Sequence, residues 1–358
     1  MATGTVRGRI GQALGAGAFG QAVTILVQLV SAPLFLQFWG IERYGEWLIL
    51  AAIPSYLALS DLGFGSAATI EMTMAAGAGD HERVIATYQS TCALLGVIFV
   101  FLLPLVPAIA LIASRASWLG IHTMPSSEVF WAVVLLGGGV AASLAGGIVS
   151  AVYRCEGRYA TGTVYSNLLR LAEFAVTAAA LAVGCNAVGL AAATVCARSL
   201  GMATFYACAL HFAPWSRVSL RHAQRARVRA LAGPALSFMA FPLGNALNLQ
   251  GFSLLIGTQL GSAPLVVFST MRTVSRVASQ AMNLINNAVW PELSRAFGRQ
   301  DVSTARDLHR RAVQASFAVA IGALGVLSIA GSDLLRIWTH GKVILDSAAY
   351  SFLLAAMG

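Results

Sequence analysis

Lysine is nearly missing from this chain: 22 of its 23 basic residues are arginine, and charged residues of every kind make up only 10% of the 358 positions. Set against 58% hydrophobic residues, that scarcity excludes a soluble domain. A soluble core of this size cannot hide so much apolar surface, and the composition is that of a multi-spanning membrane protein. The polar gaps between apolar runs are at most about twenty residues long, which leaves no room for a separate soluble domain. Cysteine is also sparse. Cys92, Cys155, Cys185, Cys196 and Cys208 form no CxxC pair and show no His-linked metal spacing, so neither a disulfide framework nor a metal site is expected. Four of them lie in or beside apolar runs as small buried residues, and Cys185 falls in a tight turn. The six histidines sit at span ends or in loops. No P-loop is present, so an ATP-driven engine would have to be another chain. No loop carries paired carboxylates or a His–Asp constellation, which argues against an enzyme, and no cofactor is expected. The net charge of +9 does not point to nucleic acid, because the arginines fall in short segments between apolar runs rather than among exposed aromatics. The apolar run that begins near Ile10 continues to Trp39, too long for a signal-peptide core, and reads as an uncleaved first span.

What the chain does have is long apolar runs. Nine full spans and the start of a tenth are expected, at about 11–39, 47–74, 87–113, 129–153, 164–184, 187–212, 231–258, 263–290, 312–330 and 346–358. The arginines orient them. With the N-terminus inside, fifteen basic residues fall on the cytoplasmic side, four outside and four within spans, the bias expected of topology determinants. The segment 213–230 is the longest strongly basic connection and divides six spans from the rest. Spans 1 and 7 open their halves alike, with mid-span amides and a proline (Gln21, Gln28 and Pro33 against Pro242, Asn245 and Asn248). Both end at glycine before a short outside turn, at Gly40 and Gly261. The expected fold is therefore all-α and membrane-embedded: two pseudo-repeated six-helix bundles around a central polar cavity. The first bundle covers 1–212, the linker 213–230, and 231–358 holds an incomplete second bundle that stops partway into its fourth span. Segment 291–311 is expected to be an amphipathic helix on the inner membrane surface, with Leu293, Phe297 and Leu308 as its apolar side.

Several residues do not suit a membrane. Arg272, Arg276, Gln280, Asn283 and Asn287 recur at steps of four, four, three and four. On a helix they fall within an arc of about 80° along roughly 22 Å. A guanidinium facing lipid is costly, so the stripe faces either a neighbouring helix, as polar glue, or a cavity. Two arginines backed by amides suit an anionic, hydrogen-bonding cargo. Asp61, in LSDLGFG, either caps a helix break at Gly63 and Gly65, pairs with an arginine, or carries a coupling proton. Arg170 and Glu173 lie three apart as a self-compensating pair. Arg198 has no acid near it in sequence and must find a partner elsewhere or face the cavity. Gln21, Thr24, Gln28 and Ser31 share one face of span 1, and Asn245 and Asn248 one face of span 7; these are helix glue or cavity lining.

Residues 33–65, PLFLQFWGIERYGEWLILAAIPSYLALSDLGFG, resemble the first hairpin of the bacterial polysaccharide transporter family. Members of that family combine a proline-bearing first span, a Gly–x–x–x–Tyr–Gly turn and an Asp–Leu–Gly in span 2. WPELSRAFGRQDVSTARDLHRR (290–311) resembles the family's segment after span 8, and LLRIWTHGKV (334–343) its turn after span 9. The resemblance implies a flippase of the kind that moves O-antigen repeat units, within the multidrug/oligosaccharidyl-lipid/polysaccharide exporter superfamily. Its cargo would be a polyprenyl-diphosphate-linked oligosaccharide, moved by alternating access across a bacterial inner membrane. On that likeness Arg272 and Arg276 hold the diphosphate, assisted by Arg198 and Arg170. A polysaccharide polymerase and chain-length proteins are candidate partners. The basic linker would leave the bundles free to move. The rivals are an ion-coupled extruder of cationic drugs with the same fold, a pathway enzyme, and a non-transporting scaffold for envelope polysaccharide assembly.

Overall fold

A computed structural model describes residues 6–115, 119–273 and 302–341, and all the regular structure in them is helical. Helix α1 (Val6–Leu57) consists of two limbs that meet at Gly40, whose φ of 73° and ψ of −178° lie outside the helical region. A short turn of 3-10 helix, Ala58–Asp61, separates it from α2 (Phe64–Gly77). Helices α3 (His81–Arg115), α4 (Ser126–Cys155), α5 (Tyr159–Ala182) and α6 (Ala187–Phe212) follow. Then come α7 (Arg225–Ala246), a π-helical turn (Leu247–Gly251) and α8 (Phe252–Gln259). Helix α9 begins at residue 262 and is described to 273; α10 runs from Val302 to Trp338. Among the described residues, four stretches are long and apolar enough to cross a membrane: Gly11–Asp61, which takes in both limbs of α1, and α3, α4 and α6. Helix α5 carries Arg170 and Glu173 in its apolar run.

The chain divides into two compact units, Glu42–Leu265 and Gly4–Ile41 with Val266–Gly358. The first has a continuous core from α2, α3, α4, α6 and α7, in which Met72, Tyr88, Val152, Phe205 and Ala235 are almost fully buried. Small residues let these helices approach closely, as membrane helices require when there is no hydrophobic force between them. Ala67, Ala68 and Ala75 do this on α2. Tyr153 of α4 stacks on Phe205 of α6 with ring centroids 4.5 Å apart, and its hydroxyl donates to the Phe205 carbonyl at 3.1 Å. The start of α1's second limb lies so close to the first residue of α9 that a Cβ on Gly45 would overlap the Ser262 carbonyl oxygen. Tyr44 beside it is buried. This explains why the turn motif reads Tyr–Gly at that place.

In the second unit, Pro33 has no N–H and so leaves the carbonyl of Leu29, four residues earlier, without its helical donor. The indole Nε1 of Trp338, at the end of α10, donates to that carbonyl at 2.7 Å. A proline bend and a tryptophan 305 positions later in the sequence are thus one device.

Two expectations change here. Residues 302–311 are not a separate surface helix; they are the opening turns of α10, continuous with the apolar run that follows, and residues 291–301 lie outside the described ones. The linker is not slack. Gln89 Oε1 on α3 accepts the His222 N–H at 2.8 Å, and Ser90 Oγ accepts the Gln224 N–H at 2.9 Å. Trp215 donates to Glu156 at 2.8 Å and packs edge-on against Tyr88. The expected tenth span also lies outside the described residues.

Trp338→Phe should destabilise the detergent-solubilised protein by about 1 kcal/mol, the cost of a partly buried carbonyl left without its donor. In a Pro33→Ala background, where the Leu29 carbonyl regains a helical donor, the loss should be smaller. Equal losses in the two backgrounds, read by thermal unfolding, would separate the tryptophan from the proline.

Candidate functional site

The site in the first unit is organised by a helix break. After Leu57 the chain tightens through Ala58–Asp61, then Leu62 (φ 50°) and Gly63 (φ 79°) both take left-handed backbone before α2 starts. Such a break frees N–H groups that have no water to turn to in hydrocarbon. Asp61 supplies the acceptors: Oδ1 takes the Gly63 N–H at 3.1 Å and Oδ2 the Gly65 N–H at 3.2 Å. Helix α7 packs against the break, and a Cβ on Gly63 would overlap the carbonyl oxygen of Ala235. The Asp–Leu–Gly motif thus has three local reasons: an acceptor, a left-handed turn and a helix crossing.

Beside the break lies a cavity of about 560 Å³, lined by Asp61, Ser66 and Thr69 on one side and by Ser143, Ser150 and Arg154 of α4 on the other. Four hydroxyls line it, together with the apolar side chains of Ile70, Leu144 and Phe238. Thr69 gives its proton to the Gly65 carbonyl at 2.7 Å. The guanidinium of Arg154 lies 4.9 Å from the centre of the Tyr159 ring. Ser143 joins the cavity to an ion pair behind it, since its hydroxyl accepts from Arg198 Nη1 at 3.3 Å. Arg198 meets Glu173 as a fork, Nε to Oε1 at 3.1 Å and Nη2 to Oε2 at 2.9 Å. Two charges within spans are thereby neutralised between α5 and α6. Glu71, midway along α2, likewise binds Arg83 at 2.6 Å.

The sequence-derived residues divide by this geometry. Asp61 is engaged by the break and also reaches the cavity. Arg198 takes Glu173 as its partner, a pairing that local spacing does not suggest; Arg170 is exposed on α5. Thr24 and Ser31 return their hydroxyls to carbonyls four residues earlier, Gly20 and Val27, while Gln21 and Gln28 are half-buried in the second unit. Asn245 and Asn248 are exposed, and Asn248 sits in the π-helical turn, a type of irregularity that often marks functional sites. Arg272 lies over the Phe268 ring at 5.4 Å. Arg276, Gln280, Asn283 and Asn287 lie outside the described residues.

Sequence reasoning missed two carboxylates at the opposite end of the first unit. Glu46, 1% exposed, accepts the His122 and Thr123 N–H groups at 2.6 and 2.7 Å and the Thr123 hydroxyl at 2.5 Å. Glu128 accepts from Arg43 and from the Ala187 N–H, both at 2.7 Å. Both fasten turns between helices. The available signal was their place beside span ends, where a carboxylate can cap neighbouring backbone. Among the described residues no group of three His, Cys, Asp or Glu could hold a metal ion.

Gly63→Ala should cost more than about 2 kcal/mol, from left-handed strain plus the overlap with α7. Gly17→Ala, at an open helical position, should be neutral or stabilising. Similar effects of both changes on thermal unfolding would contradict this account of the break. In a double-mutant cycle, Glu173→Gln and Arg198→Gln should show a favourable coupling of about 1–3 kcal/mol. Additive losses would mean that the fork contributes nothing.

No protein-family model matches the sequence, and no curated protein matches it. Solved structures do. An inward-facing conformation of a multidrug resistance MATE family transporter of the MOP superfamily superposes over 100% of this chain and 77% of its own, with a TM-score of 0.64 and 15% identity. An outward-facing conformation of such a transporter gives 0.66 and 14% over 99% of this chain and 78% of its own. The MATE multidrug transporter DinF-BH, in a ligand complex, gives 0.64 and 15% over 100% of this chain and 79% of its own. The chain therefore has the all-α membrane fold of MATE transporters of the MOP superfamily.

Proposed function

We propose that this chain is a flippase that carries a polyprenyl-diphosphate-linked oligosaccharide across a bacterial inner membrane by alternating access, with its N-terminus in the cytoplasm. The observation that carries this reading is the disposition of charge in the first unit. The carboxylates within or at the ends of its spans are engaged: Asp61 by the helix break, Glu173 by Arg198, and Glu71 by Arg83. The cavity beside them offers four hydroxyls and the Arg154 guanidinium among apolar side chains. A cationic drug needs a carboxylate that is not already used. An oligosaccharide needs hydroxyl and amide partners along a hydrated path, and its diphosphate needs guanidinium forks, which are permanently charged and weakly hydrated.

In this reading Arg272 and Arg276 hold the diphosphate, and Arg170 assists at its exposed position on α5. Arg198 acts through Glu173 and Ser143, on the cavity wall. Gln21, Gln28, Asn245, Asn248, Gln280, Asn283 and Asn287 supply amides to the sugar. The polyprenyl tail stays in lipid throughout. The proposed organisation is a six-helix unit repeated across the basic linker, serving a polymerase and chain-length proteins outside. No enzymatic step is involved.

Two observations favour the rival, an ion-coupled multidrug extruder: Asp61 reaches the cavity as well as the break, and fold neighbours are multidrug transporters by their own description. Arg272→Ala discriminates. It should abolish translocation of the lipid-linked oligosaccharide in reconstituted vesicles, at least about 100-fold if two charge-assisted bonds are lost, while membrane insertion and yield are unchanged. Normal translocation by that variant would remove the diphosphate site from the proposal.

A further inference from the structure

No aspartate or glutamate occurs between Glu173 and Glu292, although that stretch contains eight arginines. Five of them, Arg217, Arg221, Arg225, Arg227 and Arg229, fall in the linker and the opening turns of α7. The linker is held in place there by the Gln89 and Ser90 side chains of α3. Where α7 begins, its flank and that of α3 enclose a groove of about 520 Å³, within the size range of ligand sites. Its wall is apolar along Phe64, Leu94, Val97 and Val228, and Arg225 and Arg229 stand along one edge. They are spaced i,i+4 and so lie on one face of α7. No carboxylate lines the groove, and neither arginine forms an ion pair with a described residue. The start of α7 adds the positive end of a 22-residue helix.

We propose that this groove between α3 and α7 binds an anionic glycerophospholipid. Its phosphate lies against Arg225 and Arg229 and one acyl chain runs along the apolar wall. Three features select that occupant. The wall is too apolar for a free anion, since Phe64, Leu94 and Val97 would face a phosphate with nothing to offer it. The two uncompensated guanidinium groups disfavour a zwitterionic headgroup, whose ammonium would meet like charge. With the basic linker on the cytoplasmic side, as proposed, the groove would meet the headgroup layer as a basic pocket between helices, the setting in which anionic lipids are recognised. The linker leads directly into this site, so the lipid would hold the first turn of α7 against α3. The inference does not depend on the cargo proposed above.

The test uses the whole protein, purified in neutral detergent and stripped of lipid, with thermal unfolding as the readout. Phosphatidylglycerol should raise Tm by at least about 3 °C. Phosphatidylcholine with the same chains, and inorganic diphosphate, should not. Arg225→Gln/Arg229→Gln should remove the shift. Ala93→Phe, which narrows the groove and keeps both arginines, should also remove it, and Arg306→Gln/Arg310→Gln should preserve it. A shift from diphosphate alone would make this a simple anion site and overturn the proposal. An equal shift from phosphatidylcholine, or one retained in the Arg225/Arg229 variant, would overturn it too. Should the variants fail to fold, a photoactivatable phosphatidylglycerol on the unmodified protein decides. Labelling of 90–97 or 223–232 supports the site, and labelling confined elsewhere overturns it.

Discussion

A bilayer offers no water to a stray hydrogen-bonding group, so every break and every charge in this chain must be answered by the protein itself. Much of the structure follows from that constraint. The chain turns left-handed at Leu62 and Gly63, and Asp61 receives the N–H groups this releases. Pro33 removes a donor, and Trp338 supplies one. Arg198 and Glu173, each costly alone, meet as a fork between α5 and α6. At the far end of the first unit, Glu46 and Glu128 do the same for the turns.

These satisfied groups shape the functional reading. A carboxylate holding a helix break or an arginine is poorly placed to compete for a cationic cargo as well. Beside Asp61 and several apolar side chains, the cavity presents four hydroxyls and one guanidinium, groups that can bind sugars and phosphates. A fold does not fix a cargo, and the residues lining the cavity decide what it recognises.

How much of this was legible in the sequence depends on how far apart the partners lie. The all-α membrane class followed from composition alone. The break at Asp61 was legible because an acid before Gly–x–Gly carries its own partners within four residues. Arg198 was not: its partner lies 25 residues away on another helix, and local spacing offered Glu173 to Arg170 instead. Pro33 announces an orphan carbonyl, but nothing local points to a donor beyond residue 330. The charges in 302–311 suggested a surface helix, whereas α10 runs through them without interruption, because charged side chains do not stop a helix that continues into an apolar run. The linker looked free because it is basic and lies between spans, and its tethers are side chains of α3 that read as ordinary buried polar residues.

The central claim is that the charge arrangement serves an anionic, sugar-bearing lipid. The most direct measurement is mass spectrometry of lipid-linked oligosaccharides in membranes of the host after deletion of the gene. The account predicts accumulation of a polyprenyl-diphosphate oligosaccharide on the cytoplasmic side. No accumulation, together with new sensitivity to cationic dyes, would contradict it and leave the arginine stripe a seam between helices.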